Sequence, residues 1–186
     1  MAGLLFPDPP LADQVVVLRA WSADDVPEKL MMFADPSIQR FSWPQTADYT
    51  EVDAQRFFAD QEKARLRGEE LQFALAEPSD HRTVLGGGSV YAIDLDQGRA
   101  AVGFWLGPAA RGRGVATHAT RLMARWAFDD LGIARLELTC APDNEASQRV
   151  AGRCGFVREG VLRSHMAFKG GRRDTVMFSL LPGELR

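Results

Sequence analysis

One junction constrains this chain more than any other: the apolar run AAVGFWLGP, residues 100–108, leads almost directly into RGRGVATHATRLMARWAF, Arg111 to Phe128. An apolar run, then glycines, then apolar residues spaced three and four apart read as a strand, a tight turn and an amphipathic helix. Gly112 and Gly114 remove side chains where a ligand must approach the backbone. The helix that opens at about Val115 aims unpaired N–H groups and the positive end of its dipole at the same point, which favours phosphate. Two familiar phosphate turns do not fit. The dinucleotide fingerprint needs Gly-x-Gly-x-x-Gly/Ala and an acid about 20 residues on, whereas Thr117 holds the third small position and Asp129 and Asp130 end the same helix. A P-loop needs Gly-Lys-Ser/Thr, and none follows here.

The rest of the chain frames this junction. Gln14–Trp21 reads as a strand, and Ser22 with Asp25 has the spacing of a capping box that opens a helix towards Asp35. Residues 36–49, PSIQRFSWPQTADY, have two prolines and no period and read as a loop. Thr50 with Asp53 caps a second helix that ends at Gly68. LQFALAEP, TVLGGGSVYAI and AAVGFWL form an antiparallel meander, with a bulge expected at Gly86–Gly88. The helix after the glycine turn carries Ala119, Leu122, Met123, Trp126 and Leu131 on one stripe, and RLELTCAP completes a βαβ unit. Another helix, roughly Glu145 to Cys154, stops at Gly155, and a hairpin turning at Gly170-Gly171 closes the chain. The order β-α-α-β-β-β-α-β-α-β-β describes an α/β (α+β) fold: a mixed, mostly antiparallel central sheet with helices on both faces.

A chain of 186 residues with 46% hydrophobic content can bury its own core. Residues 14–186 are expected to form a single domain and residues 1–13 a loose N-terminal tail, whose prolines and lack of basic residues do not suit a signal peptide. No segment reaches the ~20 apolar residues of a membrane span. Cys140 and Cys154 lack metal-ligand spacing and read as small buried hydrophobes, so no metal is expected and the cytoplasm is the expected compartment. A net charge of −3 argues against direct nucleic-acid binding. The charge is unevenly divided: residues 111–186 hold 13 Lys/Arg against 8 Asp/Glu, and residues 1–110 hold 9 against 17. A basic half bearing the phosphate turn and an acidic half would suit a polyanionic cofactor and a cationic amine, although most such charges are expected on solvated helix faces.

The glycine turn resembles the acetyl-CoA site of the GNAT superfamily of N-acetyltransferases, whose signature is Gln/Arg-x-x-Gly-x-Gly/Ala at a strand-to-helix turn. Arg111, Gly114 and Ala116 fill its fixed positions. PDNEASQRVAGRCGFVREGVLR, Pro142 to Arg163, resembles the second half of the same site, and the pattern is most similar to the ribosomal-protein N-terminal acetyltransferase (Rim-type) branch. The element order is also that of the superfamily. The resemblance implies that pyrophosphate rests on the backbone of Arg111, Gly112, Arg113, Gly114, Val115 and Ala116, with the Thr117 hydroxyl and both guanidinium groups nearby. It implies that the strand Phe104-Trp105-Leu106 pairs with pantetheine through its backbone, which leaves Trp105 to be read as core or channel wall.

Acetyl transfer to an amine needs an oxyanion donor, a neutral nucleophile and a proton for the departing thiolate. Asn144 precedes a helix, where capping and pantetheine binding are compatible. Seven residues on, where many superfamily members have a tyrosine acid, stands Ala151; the resemblance to the ribosomal-protein branch shifts that role to Ser147. Arg149 is either a phosphate contact or a solvated side chain. By resemblance Glu159 is the carboxylate near the acceptor amine, while Ala101 and His118 occupy positions where related enzymes carry glutamate. His118 reads as an exposed helix residue, and His81 and His165 have no partner at triad or metal spacing. The implied function is acetyl-CoA-dependent transfer to a primary amine, a peptide or protein N-terminus, by a monomer or homodimer. A small-molecule acetyltransferase acting on antibiotics or polyamines, or a non-catalytic acyl-CoA-binding module, remains open.

Overall fold

The computed structural model of the protein describes residues 3–186. One sheet holds β1 (Leu11–Ala12), β2 (Val17–Arg19), β3 (Leu71–Glu77), β4 (Asp80–Asp94), β5 (Arg99–Leu106), β6 (Arg135–Cys140), β7 (Val157–Phe168) and β8 (Gly171–Leu180). Their spatial order is β1-β2-β3-β4-β5-β6-β8-β7. Neighbours are antiparallel except β5 and β6, and the reason is the connection between them. Parallel strands need a crossover, here α4 (Val115–Asp129). The mixed, mostly antiparallel sheet is the fold class read from the sequence.

Strand alternation divides the core into two layers. On one face Phe73, Val90, Val102 and Leu136 pack against Met123 and Ala119 of α4 and Ala151 and Cys154 of α5 (Glu145–Cys154). On the other face Ala74 and Trp105 meet Trp21 and the helices α1 (Val26–Phe33), α2 (Pro36–Phe41) and α3 (Glu51–Leu66). Burying a side chain such as Phe73 or Leu136 is worth about 1.5–3 kcal/mol relative to leaving it exposed, so these layers fix the sheet between its helices.

Local chemistry explains where the structure departs from expectation. Residues 36–41, read as loop, are α2. Asp35 caps this helix by accepting from the Ser37 and Ile38 N–H groups, and Pro36 supplies a first helical residue with no N–H to satisfy. Six residues are too few to display a period. The strand expected over Gln14–Trp21 shrinks to Val17–Arg19, because Asp13 accepts from the N–H groups of Val15 and Val16 and folds β1 back on β2. The segment expected as a loose tail is packed from Gly3 onward: Leu4 is buried, its N–H donates to the Arg65 carbonyl at 2.9 Å, and Phe6 meets Phe73 edge-on at 5.9 Å. Met1 and Ala2 of that expected tail lie outside the described residues. One of the register shifts in β4 falls between Val84 and Gly86, at the start of the glycine triplet. Those glycines make room for Trp105: a Cβ on Gly86 would strike the Trp105 carbonyl, and one on Gly87 would lie 2.6 Å from the indole Nε1.

Candidate active site

β5 and β6 pair only from Arg99 to Ala101 and from Arg135 to Glu137. Beyond that point they part. β6 continues alongside β8 as far as Cys140, while among the described residues β5 has strand neighbours on its β4 side alone. The far edge of Val102–Leu106 is therefore a row of backbone groups open to an extended ligand.

The glycine turn stands at the mouth of this split. Gly112 (φ +75°) and Gly114 (φ +83°) are both left-handed, and Gly114 is the N-cap of α4 with no side-chain cap over the helix end. A Cβ at Gly112 would meet nothing within 4 Å, so the turn is open on that side. Arg111 holds the turn to α2 through a 2.5 Å ion pair with Asp35, and that guanidinium keeps the Asp35 carboxyl below its ordinary pKa. A cavity of about 430 Å³ follows, walled by α2, the end of β5, the turn and α5.

The predicted donor-site residues Phe104, Trp105, Leu106, Arg111, Gly112, Gly114, Val115, Ala116, Thr117, Asn144, Ser147 and Arg149 all line this cavity. Arg113 does not. Its guanidinium pairs with Glu77 on β3, 2.5 Å away. Asn144 caps α5 by accepting from the Ser147 N–H, which places Ser147 on the first turn facing the cavity. Arg149 pairs with Glu145 at 3.2 Å along the exposed side of α5. Ser37, Phe41, Ser42, Val150 and Arg153 also line the cavity, and no residue pattern in the sequence points to them.

Glu159, expected near the acceptor amine, lines neither this cavity nor the larger one described below. β7 carries it beside the start of β6, where Arg135 grips it bidentately at 2.6 and 2.8 Å and the Ser179 hydroxyl donates to it at 2.7 Å. These donors hold its pKa down to about 2, too low to take a proton from an ammonium near neutral pH. The cavity opens at the opposite end of β6, beside Asn144. His118, expected to be solvent-facing, is half-buried with Nδ1 2.7 Å from an Asp13 oxygen, and His165 lies 2.8 Å from the Thr175 hydroxyl. Burial raises the thiols of Cys140 and Cys154 to about 11, which leaves both unreactive near neutral pH. Among the described residues, no His/Cys/Asp/Glu group could hold a metal and no helix is long and apolar enough to cross a membrane.

Phe41, Ser42, Phe104 and Trp105 also line a second, larger cavity of about 1330 Å³ on the α1–α3 face of the sheet. Its walls come from α3, residues 42–49 and the β7–β8 hairpin, which is joined to that loop as the Lys169 N–H donates to the Pro44 carbonyl at 2.6 Å. Lys29 is 2% exposed at its base, with Nζ over the rings of Phe57 (3.3 Å), Trp21 (4.5 Å), Phe33 and Trp105 (both 5.2 Å). Desolvation pulls its pKa down to about 7, while the ring faces favour the ammonium. The sequence gives one signal for it, a lone lysine in the otherwise apolar helix end KLMMF.

The family of the acetyltransferase (GNAT) domain matches residues 16–157. The protein named "Probable N-acetyltransferase YjcK" of Bacillus subtilis (strain 168) is 29% identical over 177 residues, covering 92% of this chain and 96% of that one. The ribosomal-protein-serine acetyltransferase of Escherichia coli (strain K12) is 26% identical over 125 residues, covering 67% of this chain and 68% of its own. Among solved structures, Mycobacterium smegmatis RimJ in complex with CoA-disulfide superposes with a TM-score of 0.82 over 91% of this chain and 83% of that chain. At 21% identity that likeness concerns the fold alone. With the family match spanning most of the chain and a strand split, glycine turn and capped helix around one cavity, the chain belongs to the GNAT acetyltransferases and is an N-acetyltransferase.

Proposed function

We propose that this protein transfers the acetyl group of acetyl-CoA directly to a primary amine in the cytoplasm, the acceptor being the α-amine of a peptide or protein. The observation that carries this reading is the parting of β5 from β6, which opens a bare strand edge between the glycine turn and Ser147. The residues present suit the donor. The uncapped start of α4 and the open side of Gly112 offer N–H donors to a pyrophosphate beside the Arg111–Asp35 pair, and the edge of β5 offers amide pairing to pantetheine. Acetyl-CoA supplies the activated thioester carbonyl. An N–H of the Phe104–Leu106 edge would polarise that carbonyl, and the Ser147 hydroxyl would hydrogen-bond the sulfur as negative charge develops there.

The acceptor enters from the larger cavity. An α-amine with a reference pKa near 8 offers far more neutral nucleophile at pH 7 than a lysine side chain near 10.4. With Glu159 removed from the site, deprotonation falls to solvent or to the walls of that cavity. The ribosomal-protein-serine acetyltransferase among the relatives supports a protein acceptor. One observation favours a second reading, a small-molecule amine: the contact between Lys169 and Pro44 ties the β7–β8 hairpin to the loop that walls the acceptor cavity. Release of free CoA thiol, followed with N-terminally free peptides against polyamines and aminoglycosides, decides between them. Higher kcat/KM for the small amines would overturn the peptide assignment, and no amine-dependent thiol release would overturn the transfer itself.

A further inference from the structure

Among the arginines that line the two cavities, Arg173 is the one with a buried N–H left without a partner among the described residues. Arg111 at the donor turn and Arg67 in the acceptor cavity each meet a carboxylate within 2.7 Å. Arg173, opposite Met166 in the β7–β8 hairpin, lines the acceptor cavity with no carboxylate within 4.0 Å among the described residues. The acid whose charge reaches it, Asp143, is held by Arg40 at 2.5 Å. The Arg173 guanidinium stacks on Phe168 at 3.7 Å, and Nη2 donates to the Phe41 carbonyl at 3.2 Å and approaches the Met166 sulfur at 3.7 Å. Its Nε is buried and has no partner. Burial lowers its pKa, as expected for a cation whose counter-charge is missing.

We propose that the acceptor amine also carries an anionic group, a carboxylate or a phosphate, which Arg173 binds. The proposal rests on the acetyl-transfer reading and specifies its acceptor. A half-buried guanidinium with open donors is suited to a planar or tetrahedral oxyanion, because two parallel N–H bonds restore the charge balance that burial removed. Phe41 accepts from Arg173 and lines both cavities, so the guanidinium sits beside the passage to the donor. The rest of the lining has the complementary sign: Asp48, Asp53, Asp60, Glu69 and Glu70 outnumber Lys29, Arg56 and Arg67. A ligand that carries both an ammonium and an anion matches this lining. Of the other cations of the cavity without a carboxylate within 4.0 Å among the described residues, Lys29 is enclosed by four rings that already face its charge, and Arg56 is exposed to solvent.

The test uses acceptors paired by charge: a peptide with Asp or Asn as its second residue, and phosphoethanolamine against ethanolamine. Thiol release gives kcat/KM, and calorimetry with CoA present gives binding even where no acetyl is transferred. The parent protein is expected to prefer the anionic member of at least one pair about tenfold or more. Arg173→Gln should erase that preference through KM while changing the neutral acceptor less than twofold, and Arg173→Lys should restore part of it. Which pair responds identifies the source as a peptide carboxylate or a small phosphate. Equal turnover and binding within both pairs, or an equal loss for both members in a folded Arg173→Gln protein, would overturn the proposal. Charge-dependent binding without thiol release would retain the anion site and reject the transfer reading.

Discussion

Ser147 and Glu159 are two polar residues of one sequence stretch that the backbone carries to opposite ends of β6. Ser147 follows an N-cap whose spacing is local, so its position on the first turn of α5 is legible from residues 144–147 alone. If its hydroxyl assists the departing thiolate, Ser147→Ala should lower kcat more than it raises the KM for acetyl-CoA, since the interaction strengthens in the transition state. Unchanged kcat with raised KM would make it a binding residue. Glu159→Gln should leave kcat/KM within twofold, because Arg135 and Ser179 already occupy the carboxylate. Its pairing with Arg135 spans 24 residues and depends on how β7 and β8 return to β6, information that the local motif does not contain.

Lys29 provides a pH test at the same scale. Its folded pKa of about 7 lies below its ordinary value of 10.5, so between those limits the unfolded chain binds a proton that the folded chain does not. Stability therefore rises with pH across this window, by at most about 1.4 kcal/mol per pH unit, and the burial cost is fully present below it. Lys29→Met keeps the volume and removes the charge. Urea titrations should show the variant's advantage over the parent shrinking from pH 6 to pH 10; a constant difference would mean that the aromatic cage keeps the amine charged throughout.

Among the elements, those built from contiguous residues were legible: the glycine turn, α4, α5 and the closing hairpin. α2 was not, because a six-residue helix between prolines shows its start only through the Asp35-Pro36 pair. The turn carries its own prediction. Gly114→Val places a branched side chain at φ +83°, a strain of about 1–3 kcal/mol, and beside the expected pyrophosphate. The variant should melt earlier and lose the rise in melting temperature that CoA gives the parent by mass action. Arg111→Ala, which leaves the backbone undisturbed, should weaken that rise without abolishing it. Full CoA stabilisation of a folded Gly114→Val protein would remove the turn from the donor site.

At the scale of the whole molecule, most of the residues that line the smaller cavity were legible in the sequence and those of the larger one were not. The former sit on one strand–turn–helix unit and the start of the next helix, whereas the larger cavity is assembled from contacts far apart in sequence. Lys169 reaches Pro44 and Gln45, Arg40 reaches Asp143, and Arg173 reaches Phe41. Such pairings come from sheet order and hairpin length, so charge and aromatic residues in the sequence carried no address. A crystal structure with acetyl-CoA is the direct test of the account. It should place pyrophosphate on residues 111–117, pantetheine along the open edge of β5 between β5 and β6, and the thioester within reach of Ser147. Acetyl-CoA bound elsewhere, with that edge still bare, would contradict it.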